Sequence, residues 1–166
     1  MADISAPLTL ALFEPDIAQN AGAMLRTCAC FGARAAIIEP AGFPVSDRHF
    51  RRAGMDYLDH VAIDRHGSWA AFAEWRRSHD QRLVLLTTRG ETDLWDFKFR
   101  TGDIIMVGRE SAGVPEAVHK AADARIRIPI APQLRSLNVS VAAALTIGEA
   151  TRQFMRETGR AGVRRE

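Results

Sequence analysis

Short apolar runs alternate with helix-forming segments along almost the whole chain, and this alternation limits the possible folds more than any single motif. Strands are expected over residues 8–13, 35–38, 61–63, 82–87, 103–107 and 125–128. Between them the pattern predicts a helix capped by Asn20 and stopping at Gly32, and a short basic helix from Asp47 that carries Arg48, Arg51 and Arg52. Further helices are expected over residues 68–77, from Pro115 to about Ala121, and from Asn138 to about Glu157. Runs such as Leu8-Thr9-Leu10-Ala11-Leu12-Phe13 read as strands buried on both faces. Strand and helix in strict succession predict an α/β fold, a mostly parallel sheet with helices on both faces.

At 166 residues the chain is long enough for one domain with a substantial core, expected to span 1–166 with short flexible tails at about 1–6 and 158–166. No apolar run approaches a membrane span, so no membrane partner is expected, and residues 1–7 lack the features of a signal peptide. A cytoplasmic location follows as the expectation. Cys28 and Cys30, two residues apart on an expected helix, point in different directions and are not expected to bridge. The net charge of +2 does not announce a nucleic-acid binder, yet Lys98 and Lys120 are the only lysines among 22 basic residues. Arginine offers phosphates a planar donor fork. Codon bias accounts for the total. The clusters Arg48/Arg51/Arg52, Arg76/Arg77 and Arg160/Arg164/Arg165 are either phosphate contacts or solvated faces.

Function is most legible at Gly108-Arg109-Glu110-Ser111-Ala112-Gly113-Val114-Pro115, which leaves the apolar run 103–107. A glycine-framed turn at the carboxyl end of a buried strand is where open α/β sheets hold nucleotide-like ligands. It is not a P-loop, because Val114 and Pro115 stand where Lys and Ser/Thr are required. Nor does a G-x-G-x-x-G follow the first strand. The alternative is an ordinary strand–turn–helix with Pro115 at the first helical position. A second junction, Ile128-Pro129-Ile130 leading to Ser136-Leu137-Asn138-Val139-Ser140, could wall the same pocket. The last helix is apolar around nearly its whole circumference, which demands burial on two sides. Its second partner is either another subunit or the interior of the monomer.

Three segments taken in order resemble the motifs of the SPOUT superfamily of RNA methyltransferases. They are residues 15–26, with Asn20, Gly22 and Arg26; residues 107–115; and Ile128-Pro129-Ile130 with Ser136-Leu137-Asn138. The resemblance spans nearly the whole chain. It implies a C-terminal deep trefoil knot, a homodimer, and S-adenosylmethionine as methyl donor with no metal. The donor would be held at Leu86, Gly108, Ile128 and Ser136, and the catalytic positions would be Arg26, Asn20, Glu110 and Asn138. Short length and the segment Phe50-Arg51-Arg52-Ala53-Gly54-Met55-Asp56-Tyr57 resemble the branch that methylates the wobble cytidine or uridine of tRNA on its ribose 2′-OH. Arg51 and Arg52 would then contact RNA. The alternatives are another tRNA or rRNA nucleotide, or a knotted RNA-binding protein without catalysis. Arg109 and Gly148 depart from relatives that carry Pro and Tyr there. Asn20 and Asn138 also read as plain helix caps, and Tyr57, Trp69, Trp75 and Trp95 as either base-stacking or core aromatics.

Overall fold

The computed structural model describes residues 7–52 and 57–158. Its seven strands form one sheet in which every pairing is parallel. In chain order the strands are β1 (Thr9–Phe13), β2 (Arg34–Ile38), β3 (Ile63–His66), β4 (Leu83–Leu86), β5 (Thr92–Asp93), β6 (Ile104–Val107) and β7 (Ala124–Arg127). Across the sheet they run β3-β2-β1-β6-β4-β7-β5. The helices are α1 (Ala18–Phe31), α2 (Asp47–Arg52), α3 (Trp69–Ser78), α4 (Glu116–Ala121) and α5 (Val139–Glu157). The expected tails fall almost wholly outside the described residues, as do Ala53, Gly54, Met55 and Asp56.

Alternate residues of the buried strands feed two separate cores. Leu10 and Leu12 of β1 join Met24, Leu25 and Cys28 of α1 and Ala143, Ile147 and Phe154 of α5 on one face. Ala11 and Phe13 join Phe72 of α3 and Val118 of α4 on the other. Trp69 and Trp75 pack against this second core, so these two aromatics are structural. Cys28 and Cys30 are both free; burial pushes the Cys28 thiol up to about 12, which leaves it inert. No helix among the described residues is long and apolar enough to cross a membrane.

Two local expectations need correction, and one strand has no counterpart among them. β3 begins at Ile63, where the run 61–63 was expected to end, because a 3₁₀ turn at Leu58–His60 occupies the approach and β2 pairs with Ile63–His66. β5 has only two residues and no hydrophobic period, so nothing in the sequence marks it. Asn20 is not a cap: α1 starts at Ala18, its N-cap is Ile17, and no side chain bonds there. The close pass of Gly90 against β7 was also unforeseen. A Cβ at Gly90 would lie 2.3 Å from the carbonyl carbon of Ile126.

The start of β6 is held by a buried ion pair. Arg82 Nε and Nη2 donate to the two carboxylate oxygens of Asp103 at 2.8 and 2.6 Å, and the Arg100 N–H donates to the same carboxylate at 2.8 Å. Asp103 is only 1% exposed. Removing one partner strands the other charge in a site that water reaches poorly. Asp103→Ala is expected to lower unfolding free energy by about 3 kcal/mol, read from urea denaturation. A loss under about 1 kcal/mol would mean that Arg82 is adequately hydrated without its partner.

Candidate functional site

The carboxyl ends of β4 and β6, with the segments following β7, enclose a cavity of about 660 Å³. The register sets these ends level, since Leu86 pairs with Val107 on one side and Ile126 on the other. Leu86, Gly108, Ile128 and Ser136, the positions expected to hold the donor, all line this cavity. Asn20, Glu110 and Asn138 line it as well. Arg26 does not. It borders a separate cavity of about 230 Å³ with Gly22, Ala23, Leu25, Tyr57, Leu58 and Val61. Six residues along a helix of 3.6 per turn place Arg26 and Asn20 on different faces of α1.

The turn after β6 is tighter than an ordinary strand-to-helix connection. Arg109 and Gly113 exchange backbone hydrogen bonds, with Arg109 N–H donating at 3.0 Å and Gly113 N–H at 2.9 Å. Gly113 adopts φ 63°, a left-handed conformation that favours glycine. A Cβ on Gly108 would come within 2.6 Å of the Gly113 carbonyl carbon, so glycine at 108 is needed by the turn itself. Pro115 is the N-cap of α4 rather than its first helical residue.

A polar network fixes the cavity rim to the start of α1. Asp16 N–H donates to Glu110 Oε2 at 3.2 Å, and Glu110 N–H returns a bond to Asp16 Oδ1 at 3.0 Å. The Ser111 hydroxyl also donates to Asp16, and Arg109 forms an ion pair with Glu14. Asn138 plays two parts. Its Oδ1 caps α5, accepting from Ser140 N–H at 2.9 Å, while its Nδ2 donates to Asn20 Oδ1 at 3.1 Å. Asn20 thus serves a contact between helices instead of capping its own. The expected RNA-contacting residues Arg51 and Arg52 end α2, but their side chains lie outside the described residues.

Asp16 and Glu110 titrate in opposite directions. Hydrogen bonding to Glu110 and Ser111 pulls Asp16 down to about 2, against some desolvation. Burial, then the hydrogen bond to Asp16, raises Glu110 above the usual glutamate range. Asp16, Arg109 and Ser111 lie in the motif segments but the sequence alone gives them no role, and Glu14 lies outside those segments. Asp16 and Glu110 are 94 residues apart, and no local spacing reveals such a pair.

Residues 7–148 match the SpoU rRNA Methylase family. The tRNA (cytidine(34)-2'-O)-methyltransferase of Beijerinckia indica is 65% identical over 144 residues, covering 87% of this chain and 90% of that protein. A solved structure described as "Structural insights into the 2-OH methylation of C/U34 on tRNA" superposes with a TM-score of 0.83 at 40% identity, covering 90% of this chain and 97% of that one. The SpoU methyltransferase AviRb of Streptomyces viridochromogenes, solved with AdoMet, gives 0.81 at 25% identity, covering 89% and 57%.

The shifts set the pH behaviour. A depressed Asp16 adds stability that is present above the unfolded value near 3.8 and is lost as pH falls through about 2. A raised Glu110 adds stability at low pH that is lost as pH rises through its elevated pKa. In a carbon-13 NMR titration Glu110 should titrate above an ordinary glutamate and move part of the way down in Asp16→Asn, because desolvation remains. An unmoved Glu110 in that variant would show that Asp16 has no influence on it.

Proposed function

The chain belongs to the SpoU rRNA Methylase family, and from that premise we propose that it transfers a methyl group from S-adenosylmethionine to the ribose 2′-OH of the wobble cytidine or uridine of tRNA. The observation that carries this reading is the cavity where the four expected donor positions and Asn20, Glu110 and Asn138 meet. The 65% identity to a tRNA (cytidine(34)-2'-O)-methyltransferase supports the choice of substrate. The site of action is the cytoplasm, where that tRNA is found.

The cavity fits an adenosine-like ligand in size and in mixed lining, with Leu86, Ile128 and Val139 as apolar walls and Thr87 and Ser136 as polar ones. Bound there, S-adenosylmethionine supplies an already activated methyl group. The protein's task is to align the ribose hydroxyl and to stabilise the charge left when its proton departs. A guanidinium offers donors and no acceptor, so Arg26 acts on the developing alkoxide as a hydrogen-bonding cation, while the 2′-OH proton passes late to an RNA phosphate or water and S-adenosylhomocysteine is the leaving group. Arg48, Arg51 and Arg52, all on α2, contact RNA phosphates.

The working unit is a homodimer. α5 buries Ala143, Ile147 and Ala150, while Val141 and Leu145 on the other side are 49% and 40% exposed. Leu134, Leu137 and Ile17 are exposed as well, and a second copy would cover Val141 and Leu145. Arg26 lies outside its own chain's cavity, so in this reading it serves the cavity of the other subunit. The C-terminal part is tied in a trefoil knot. The close approach of Gly90 to Ile126 and Arg127, and the place of β7 between β4 and β5, support it.

Incubation with labelled S-adenosylmethionine and bulk tRNA is expected to yield 2′-O-methylcytidine and 2′-O-methyluridine mapped to the wobble position. Label at another nucleotide, or only in rRNA, would replace the substrate. Donor binding without transfer would leave an RNA-binding protein. Arg26→Ala should cut transfer by roughly a hundredfold or more, as for loss of transition-state charge stabilisation, with donor affinity by calorimetry unchanged. Mixed dimers of Arg26→Ala with a chain whose donor cavity is filled by Ser136→Trp, at an exposed position on the cavity wall, should recover activity, whereas a site formed within one chain predicts none.

Leu145→Glu should convert the dimer to a monomer in sedimentation at micromolar concentration. A monomeric wild type would remove the dimer from this account.

A further inference from the structure

We propose that Tyr57 is a positioning residue that holds the Arg26 guanidinium in its working orientation, an inference that rests on the role given to Arg26 above. Two contacts meet on the same pair. Arg26 Nη2 donates to Tyr57 Oη at 2.9 Å, and Arg26 Cζ stands 4.4 Å from the centroid of the Tyr57 ring. A hydrogen bond fixes the guanidinium along one direction and the ring face fixes its plane. An exposed arginine otherwise samples many rotamers, and alignment of a reacting group depends on removing that freedom.

The chemistry of the partner is informative. A carboxylate would hold Arg26 equally well but would neutralise the charge needed at the ribose oxygen. A phenol restrains without cancelling. Tyr57 is itself placed by local structure: its carbonyl accepts from the His60 N–H at 3.0 Å, opening the 3₁₀ turn Leu58–His60, and Leu58 packs on the main core. The pair share the wall of the smaller cavity with Gly22, Leu25 and Val61. One ring face of Tyr57 is occupied by Arg26, so a base could stack only on the other.

The test is a double-mutant cycle on the full-length protein with S-adenosylmethionine and tRNA, under single-turnover conditions. Tyr57→Phe keeps the ring and loses the hydroxyl, and should lower the rate at saturating tRNA about tenfold, as for loss of a hydrogen bond to a charged group. Tyr57→Leu should lower it further, with tRNA and donor affinities within about twofold of wild type in both variants. Arg26→Ala combined with Tyr57→Phe should be no slower than Arg26→Ala alone, because one residue acts through the other. Additive losses would overturn the proposal, as would a normal rate in Tyr57→Phe. Weaker tRNA binding with a normal saturating rate would make Tyr57 a stacking platform instead. A fully active Arg26→Ala would remove the role of Arg26 itself, an outcome distinct from failure of Tyr57 alone.

Discussion

The pairing of β6 on both sides is the constraint on which the site depends. Ile104–Val107 hydrogen-bonds to β1 along one edge and β4 along the other, and all four residues are buried. A strand held in this way has no lateral freedom at its end. The turn from Gly108 to Gly113 therefore starts from a fixed point, and its backbone bridge carries that fixity to Glu110. The bidentate bond of Arg82 to Asp103 does the same at the opposite end of the strand. Cavity geometry is thus inherited from sheet geometry, with few side chains between them.

α5 links the cavity to the surface. Its first turn is organised by Asn138, whose amide reaches Asn20 across the rim. One side of the same helix closes the main core with Ala143, Ile147 and Phe154. The opposite side presents Val141 and Leu145 outward. Only the first half of the helix is apolar nearly all round, and the chain buries one face of it, whereas Arg152 and Arg156 make the second half polar on its outer side.

Much of this was legible in the residues alone, for physical reasons that differ by element. β1 and β6 were readable because a strand buried on both faces must be uniformly apolar. The end of α5 and its cap were readable because Asn138 precedes a long apolar helix. β3 was not, because an edge strand such as Ile63-Asp64-Arg65-His66 needs no apolar alternation. The four positions that the resemblance assigns to the donor, Leu86, Gly108, Ile128 and Ser136, lie far apart in the sequence and meet in one cavity. The pairing of Asp16 with Glu110 and of Tyr57 with Arg26 could not be read from the sequence, since each joins elements far apart along the chain. Asn20 was misread as a cap because a polar side chain early in a helix satisfies a local rule even when a distant partner has claimed it.

Gly90 bears on how relatives of this chain should be interpreted. Its α-carbon lies so near the backbone of Ile126 and Arg127 that no side chain of any kind fits. The same holds for Gly108 against Gly113. An aligned column of unbroken glycine at either position would therefore report the route of the main chain rather than the chemistry performed. A descendant that had lost methyl transfer would be held to glycine there as strictly as an active enzyme. Loss of function would surface first at side chains that the fold does not require.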